Sequence, residues 1–122
     1  MADILNFIDN VKPILTFNGK EYKVNKSYKV SIYLSAKHKE IETKKKNVKD
    51  FDEVQANIDL LFETFEKTIS KEFKEEVDAL DLSETQLMRL FNVINYMRGG
   101  LTQEQAIEKV VEEEKNPEEK KA

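Results

Sequence analysis

Apolar residues recur at steps of three and four through the middle of this chain. Phe51, Val54, Ile58, Leu61, Phe62, Phe65 and Ile69 form one continuous stripe, and Phe73, Val77 and Leu80 extend it in the same phase. A helical backbone, at 3.6 residues per turn, is what brings such positions onto one face. A stripe from residue 51 to residue 80 is longer than the usual globular helix, so two helices joined near Ser70 are expected. Asp50-Phe51-Asp52-Glu53 has the D-x-x-E form of a capping box, and it places the helical start at Asp50.

Two more helices follow from local signals. Ser83-Glu84-Thr85-Gln86 is a second capping box, with Leu82 and Leu87 placed to staple across it. Leu87, Leu90, Phe91, Ile94 and Met97 then share a face, and Gly99-Gly100 closes the segment because Gly accepts the left-handed conformation at a helix end. Thr102-Gln103-Glu104-Gln105 opens the last helix, which carries Ala106, Ile107, Val110 and Val111. Residues 112–122 are mostly Glu and Lys around Pro117, a composition expected to fray into a disordered tail.

The amino-terminal part is mixed. Ile4, Leu5, Phe7, Ile8 and Val11 have helical spacing over about two turns before Pro13. Asn18-Gly19 lies between the β-prone runs Ile14-Leu15-Thr16-Phe17 and Lys20-Glu21-Tyr22-Lys23-Val24. Both turn residues tolerate positive φ, so a hairpin over about 14–24 is expected, with Tyr22 and Val24 on one face. The next stretch reads two ways. Tyr28, Val30, Ile32 and Leu34 alternate like a third strand, whereas Val30, Tyr33, Leu34 and Ile41 fit one helix face with Ser27 as its N-cap. Lys44-Lys45-Lys46-Asn47 reads as a solvated loop in either case. The fold class is α+β: an N-terminal β-hairpin, two or three strands, followed by a mostly α-helical bundle of three to four helices. It forms a single domain over 1–111, with its helical body at about 50–111, as 122 residues suffice for one core.

Composition removes several chemistries. There is no Cys, one His and only three Gly, which leaves no thiolate zinc site, thiol nucleophile, histidine cluster or Gly-rich phosphate loop. His38, between Lys37 and Lys39, reads as a surface residue. The carboxylates Glu75-Glu76 and Glu112-Glu113-Glu114 read as solvated helix faces, since adjacent helical residues point apart. No catalytic residue, metal or cofactor is expected, and no run is long and apolar enough for a membrane span or a signal peptide. Charge divides unevenly: residues 1–49 carry a net +6 and residues 50–122 a net −10. The halves either attract each other or meet different partners.

Two binding readings follow. Lys20, Tyr22, Lys23, Lys26, Tyr28, Lys29 and Tyr33 interleave cations with aromatics, as a sheet that stacks single-stranded bases would. Against it stands a pI near 5.2. The other is an apolar groove in the helical half that takes a partner's amphipathic helix, with Phe51, Phe62, Phe65, Phe73 and Phe91 as the candidate partner-binding residues. A general protein–protein adaptor is a third form of the same idea.

The order of parts resembles the tail assembly chaperones of long-tailed bacteriophages. Leu15-Thr16-Phe17-Asn18-Gly19-Lys20-Glu21-Tyr22-Lys23-Val24 is similar to that family's opening hairpin. Phe73-Lys74-Glu75-Glu76-Val77-Asp78-Ala79-Leu80-Asp81-Leu82-Ser83 resembles its middle, where a helix ends in an acidic-Leu turn. Leu90-Phe91-Asn92-Val93-Ile94 and Gly100-Leu101-Thr102-Gln103-Glu104-Gln105-Ala106 resemble its last two helices. The likeness spans about residues 15–111. It implies a non-enzymatic role in virion assembly in the bacterial cytoplasm, with absence from the mature virion. The implied partner is the tape-measure protein, with the tail-tube protein and self-association as further candidates, and neither membrane nor nucleic acid is implied. Members of that family are often made in a short form and a longer, frameshifted one; Lys120-Lys121 reads equally as an A-rich slippery codon run of that kind or as part of an ordinary Lys-rich solvated terminus.

Overall fold

The computed structural model describes Ile4 and residues 13–115. The short helix expected before Pro13 and the chain beyond Lys115 lie outside the described residues. Two strands, β1 (Ile14–Phe17) and β2 (Lys20–Lys23), are followed by five helices: α1 (Tyr28–Asn47), α2 (Glu53–Thr68), α3 (Lys71–Ala79), α4 (Glu84–Arg98) and α5 (Gln103–Lys115). The α+β class stands, with five helices rather than three to four.

The hairpin forms as its turn dictates. Asn18 and Gly19 have φ of 51° and 78°, and β1 pairs antiparallel with β2 from Phe17↔Lys20 to Ile14↔Lys23. Leu15, Tyr22 and Val24 point inward and are buried.

Among the described residues there is no third strand. Tyr28 begins a twenty-residue helix, capped by the Ser27 side chain, which accepts from the Lys29 N–H. The alternation is an accident of a helix with apolar residues on opposite faces. Val30, Leu34 and Ile41 turn toward α2 and are half-buried, whereas Tyr28 and Ile32 face solvent. Residues 44–46 are not a loop but the last turn of α1, where lysines favourably meet the negative end of the helix dipole.

The central stripe breaks at Ser70, whose hydroxyl accepts from Phe73 N–H at 3.1 Å and caps α3. The start of α2 is displaced from expectation. Asp52, not Asp50, is the cap, accepting from Gln55 N–H at 3.0 Å, while Asp50 takes φ 61° in the preceding turn. The capping box at Ser83 and Gln86 forms as expected. Gly100, at φ 113°, ends α4 in a Schellman motif: its N–H reaches Met97 O and that of Leu101 reaches Tyr96 O, each at 3.1 Å. Thr102 and Gln105 close a second capping box by reciprocal bonds of 3.2 and 3.0 Å.

The core lies where the hairpin meets α2 and α3. Phe73 stacks edge-on against Phe17 and Tyr22, each at 5.1 Å between ring centres, and against Phe65 at 5.9 Å. Phe65, Phe73, Val77 and Ile94 are fully enclosed. Full burial of such side chains stabilises by roughly 1.5–3 kcal/mol each. α4 packs on α2 and α5, and α5 also covers β1. α1 alone has no buried residue and rests on α2.

Candidate functional site

The five phenylalanines do not share a surface. Phe65 and Phe73 are core residues with no exposure, so an intact fold offers neither to a partner. Phe51 lies in a crevice between α1 and the start of α2, and Phe62 lies in another beside α3. Only Phe91 of the five lines the main groove.

That groove has a volume of about 670 Å³ and lies between α1, α2 and α4. It exists because the half-buried edge of α1 seats on α2 while its flank stays clear of α4. Ile58 and Leu61 of α2 form the floor, Leu34 stands on the α1 wall, and Met88 and Phe91 stand on the α4 wall. Met88 keeps 39% of its surface exposed.

Arg98 closes one end. From the last turn of α4 its Nε donates to Asn25 O at 2.8 Å, and its Nη2 donates to Ser27 O at 3.1 Å and Ser31 Oγ at 3.0 Å. The guanidinium thereby ties α4 to the beginning of α1. Burial pulls its pKa below the ordinary arginine value without removing the charge. Its Nη1 has no acceptor among the described residues, and Arg98 has no carboxylate partner there. His38, Lys39 and Glu84 flank the opposite end. His38 is exposed, with Glu42 at 4.0 Å.

Leu34, Ile58, Met88 and Arg98 were not among the sequence-derived candidates. A signal for Arg98 was present: of twenty basic residues only two are arginine, and both lie on α4. Both use guanidinium geometry that lysine lacks, since Arg89 bonds Glu114 through Nε at 2.7 Å.

The lysine–tyrosine interleaving builds no stacking sheet. Tyr22 is buried, and Tyr28 and Tyr33 sit on α1 rather than on a strand. Tyr33 donates to Glu63 on α2, with Lys67 Nζ 4.9 Å from its ring centre, so it fastens the two helices. Glu76 is likewise not a solvated-face residue. Tyr22 Oη donates to its Oε2 at 2.5 Å, and Lys20 Nζ stands 3.4 Å from the same oxygen. The Tyr22 bond first, then the Asn18 side chain and Lys20, hold the Glu76 carboxyl below its ordinary pKa against the opposing effect of burial. The same bond, chiefly, pushes Tyr22 up to about 12.

Among the described residues, no three His, Cys, Asp or Glu side chains gather to hold a metal ion, and no helix is long and apolar enough to cross a membrane. No protein-family model, curated protein or solved structure matches the chain.

Proposed function

We propose that this protein is a tail assembly chaperone of the long-tailed-phage kind, which shields helical stretches of a tape-measure protein during tail assembly. The observation that carries this reading is the open groove between α1, α2 and α4. Its apolar floor, exposed Met88 and partly buried Phe91 suit one face of an amphipathic helix, whose diameter is about 10 Å. The resemblance across residues 15–111 supports it independently. A long helical partner with an exposed apolar stripe needs such cover before it is enclosed by tube subunits.

The test is binding of tape-measure fragments, measured by calorimetry, to the wild type and to Met88→Glu. A charge on the groove wall should abolish binding while leaving the melting temperature within a few degrees, because Met88 is outside the core. Binding that vanishes with added salt and is competed by single-stranded DNA would instead favour the nucleic-acid reading.

A further inference from the structure

We infer that the groove selects amphipathic helices carrying a carboxylate at one end of the apolar face, and that Arg98 is the residue that reads it. The inference rests on the groove being the partner site. An apolar floor alone accepts any helix of the right width, so selectivity has to come from polar groups at its margins. Arg98 supplies one in a fixed position. Three hydrogen bonds from Nε and Nη2 immobilise the guanidinium plane, and it lines the groove with its Nη1 unpartnered by the described residues. A guanidinium held this way presents the remaining N–H groups to an oxygen acceptor with little further loss of side-chain freedom. It is partly desolvated, so a bond to an ionised carboxylate there is stronger than one at an open surface.

The wall above it has the same sign. α1 carries six lysines against two glutamates, and Lys39, which borders the groove, has no carboxylate partner among the described residues. A ligand helix with acids along that flank gains steering as well, whereas a lysine-flanked helix meets repulsion from α1.

The probe is an end-blocked Ala-based peptide of about 18 residues, long enough to hold helix, with leucines at i, i+3, i+4 and i+7 and one glutamate at the end of that stripe. Its partner probe has glutamine at the same position. On the wild type the glutamate peptide should bind about tenfold tighter, the worth of one charge-assisted bond. Arg98→Gln should bring that ratio close to one, whatever it does to the affinity of each peptide, and Lys39→Gln should narrow the ratio only slightly. Because Arg98 also ties α1 to α4, each variant's melting curve is taken alongside. Should Arg98→Gln unfold, the wild-type ratio decides, since it alters only the peptide. Equal binding of both peptides overturns the Arg98 inference and leaves the groove standing. Binding of neither, with tape-measure fragments still bound elsewhere, overturns both the groove and the inference.

Discussion

α1 and α2 are neighbours of similar length that meet along one seam, yet they belong to different parts of the protein. α2 buries Leu61, Thr64, Phe65 and Thr68 and is roofed by the hairpin and α3, whereas α1 buries nothing fully. α1 is held at its edges. Ser27 caps it, Arg98 ties its first turn, Tyr33 reaches Glu63, and Lys45 Nζ pairs with Glu53 at 3.1 Å. Helices fastened by packing and helices fastened by polar ties differ in what releases them. The first unfolds with the domain, while the second can open locally at much smaller cost. A groove walled by a helix of the second kind can widen for a ligand without the core being disturbed.

The largest effect should come from breaking the packed side. Phe65→Ala empties a fully enclosed position of the aromatic cluster and should cost about 3–5 kcal/mol, read as a lowered midpoint in urea. Ile32→Ala on the outer face of α1 is the matched control, at 62% exposure, and should stay within about 0.5 kcal/mol. If the two cost the same, the division between the helices is false.

Next in size is the tie itself. Arg98→Ala removes three hydrogen bonds from a charged donor and should destabilise by about 1.5–3 kcal/mol. The sharper readout is amide hydrogen exchange. Protection should fall in the first turns of α1 and stay unchanged in α2 and α3. A uniform loss across the domain would mean that α1 is not a separable wall.

A smaller effect probes the far side of the hairpin. β1 has one open edge, and the Gln103 carboxamide closes it as a strand would: Thr16 N–H donates to its Oε1 at 2.6 Å and its Nε2 donates to Thr16 O at 3.2 Å. Gln103→Ala should cost about 0.5–1.5 kcal/mol and raise concentration-dependent association through the uncovered edge, measured by sedimentation. Unchanged sedimentation would show that the edge is protected by something else.

What was legible in the sequence follows the same division. The α2–α3 stripe, the Ser70 break, the Asn18-Gly19 turn and the Ser83 box are local signals, and each formed. α1 was ambiguous because its apolar residues fall on two faces, so the helical period was as weak as the alternating one. The groove was hidden for another reason. Its lining comes from three helices, and which residues of an apolar stripe face a neighbour depends on how the helices cross. Phe65 and Phe73 sit at the middle of their faces and are swallowed, whereas Phe91 sits near a margin and keeps some surface. Their spacing alone gives no hint of that difference. Glu76 became a partly buried partner only because the hairpin folds back onto α3, a contact between residues 54 positions apart.

The Glu76 site gives the slightest effect and the cleanest sign. Its carboxyl is held below the ordinary 4.5 by its hydrogen bonds, with burial acting in the opposite direction. A depressed folded-state pKa contributes stability that is present above 4.5 and is lost as pH falls through the folded value. Tyr22 is displaced the other way, to about 12 from 10.0, so its contribution is present below 10.0 and is lost as pH rises toward 12. The two groups share one hydrogen bond, and Tyr22→Phe should therefore flatten both limbs together. Urea midpoints for the wild type should form a plateau between about pH 5 and 10 that slopes down at each side. In Tyr22→Phe the plateau should be lower, the acid slope shallower and the alkaline slope reduced to what Tyr33 and Tyr96 contribute through Glu63 and Glu113. Ring resonances of Tyr22 followed by NMR give the site directly. Titration near 10 in the folded protein would show that the hairpin is not latched to α3 through this pair.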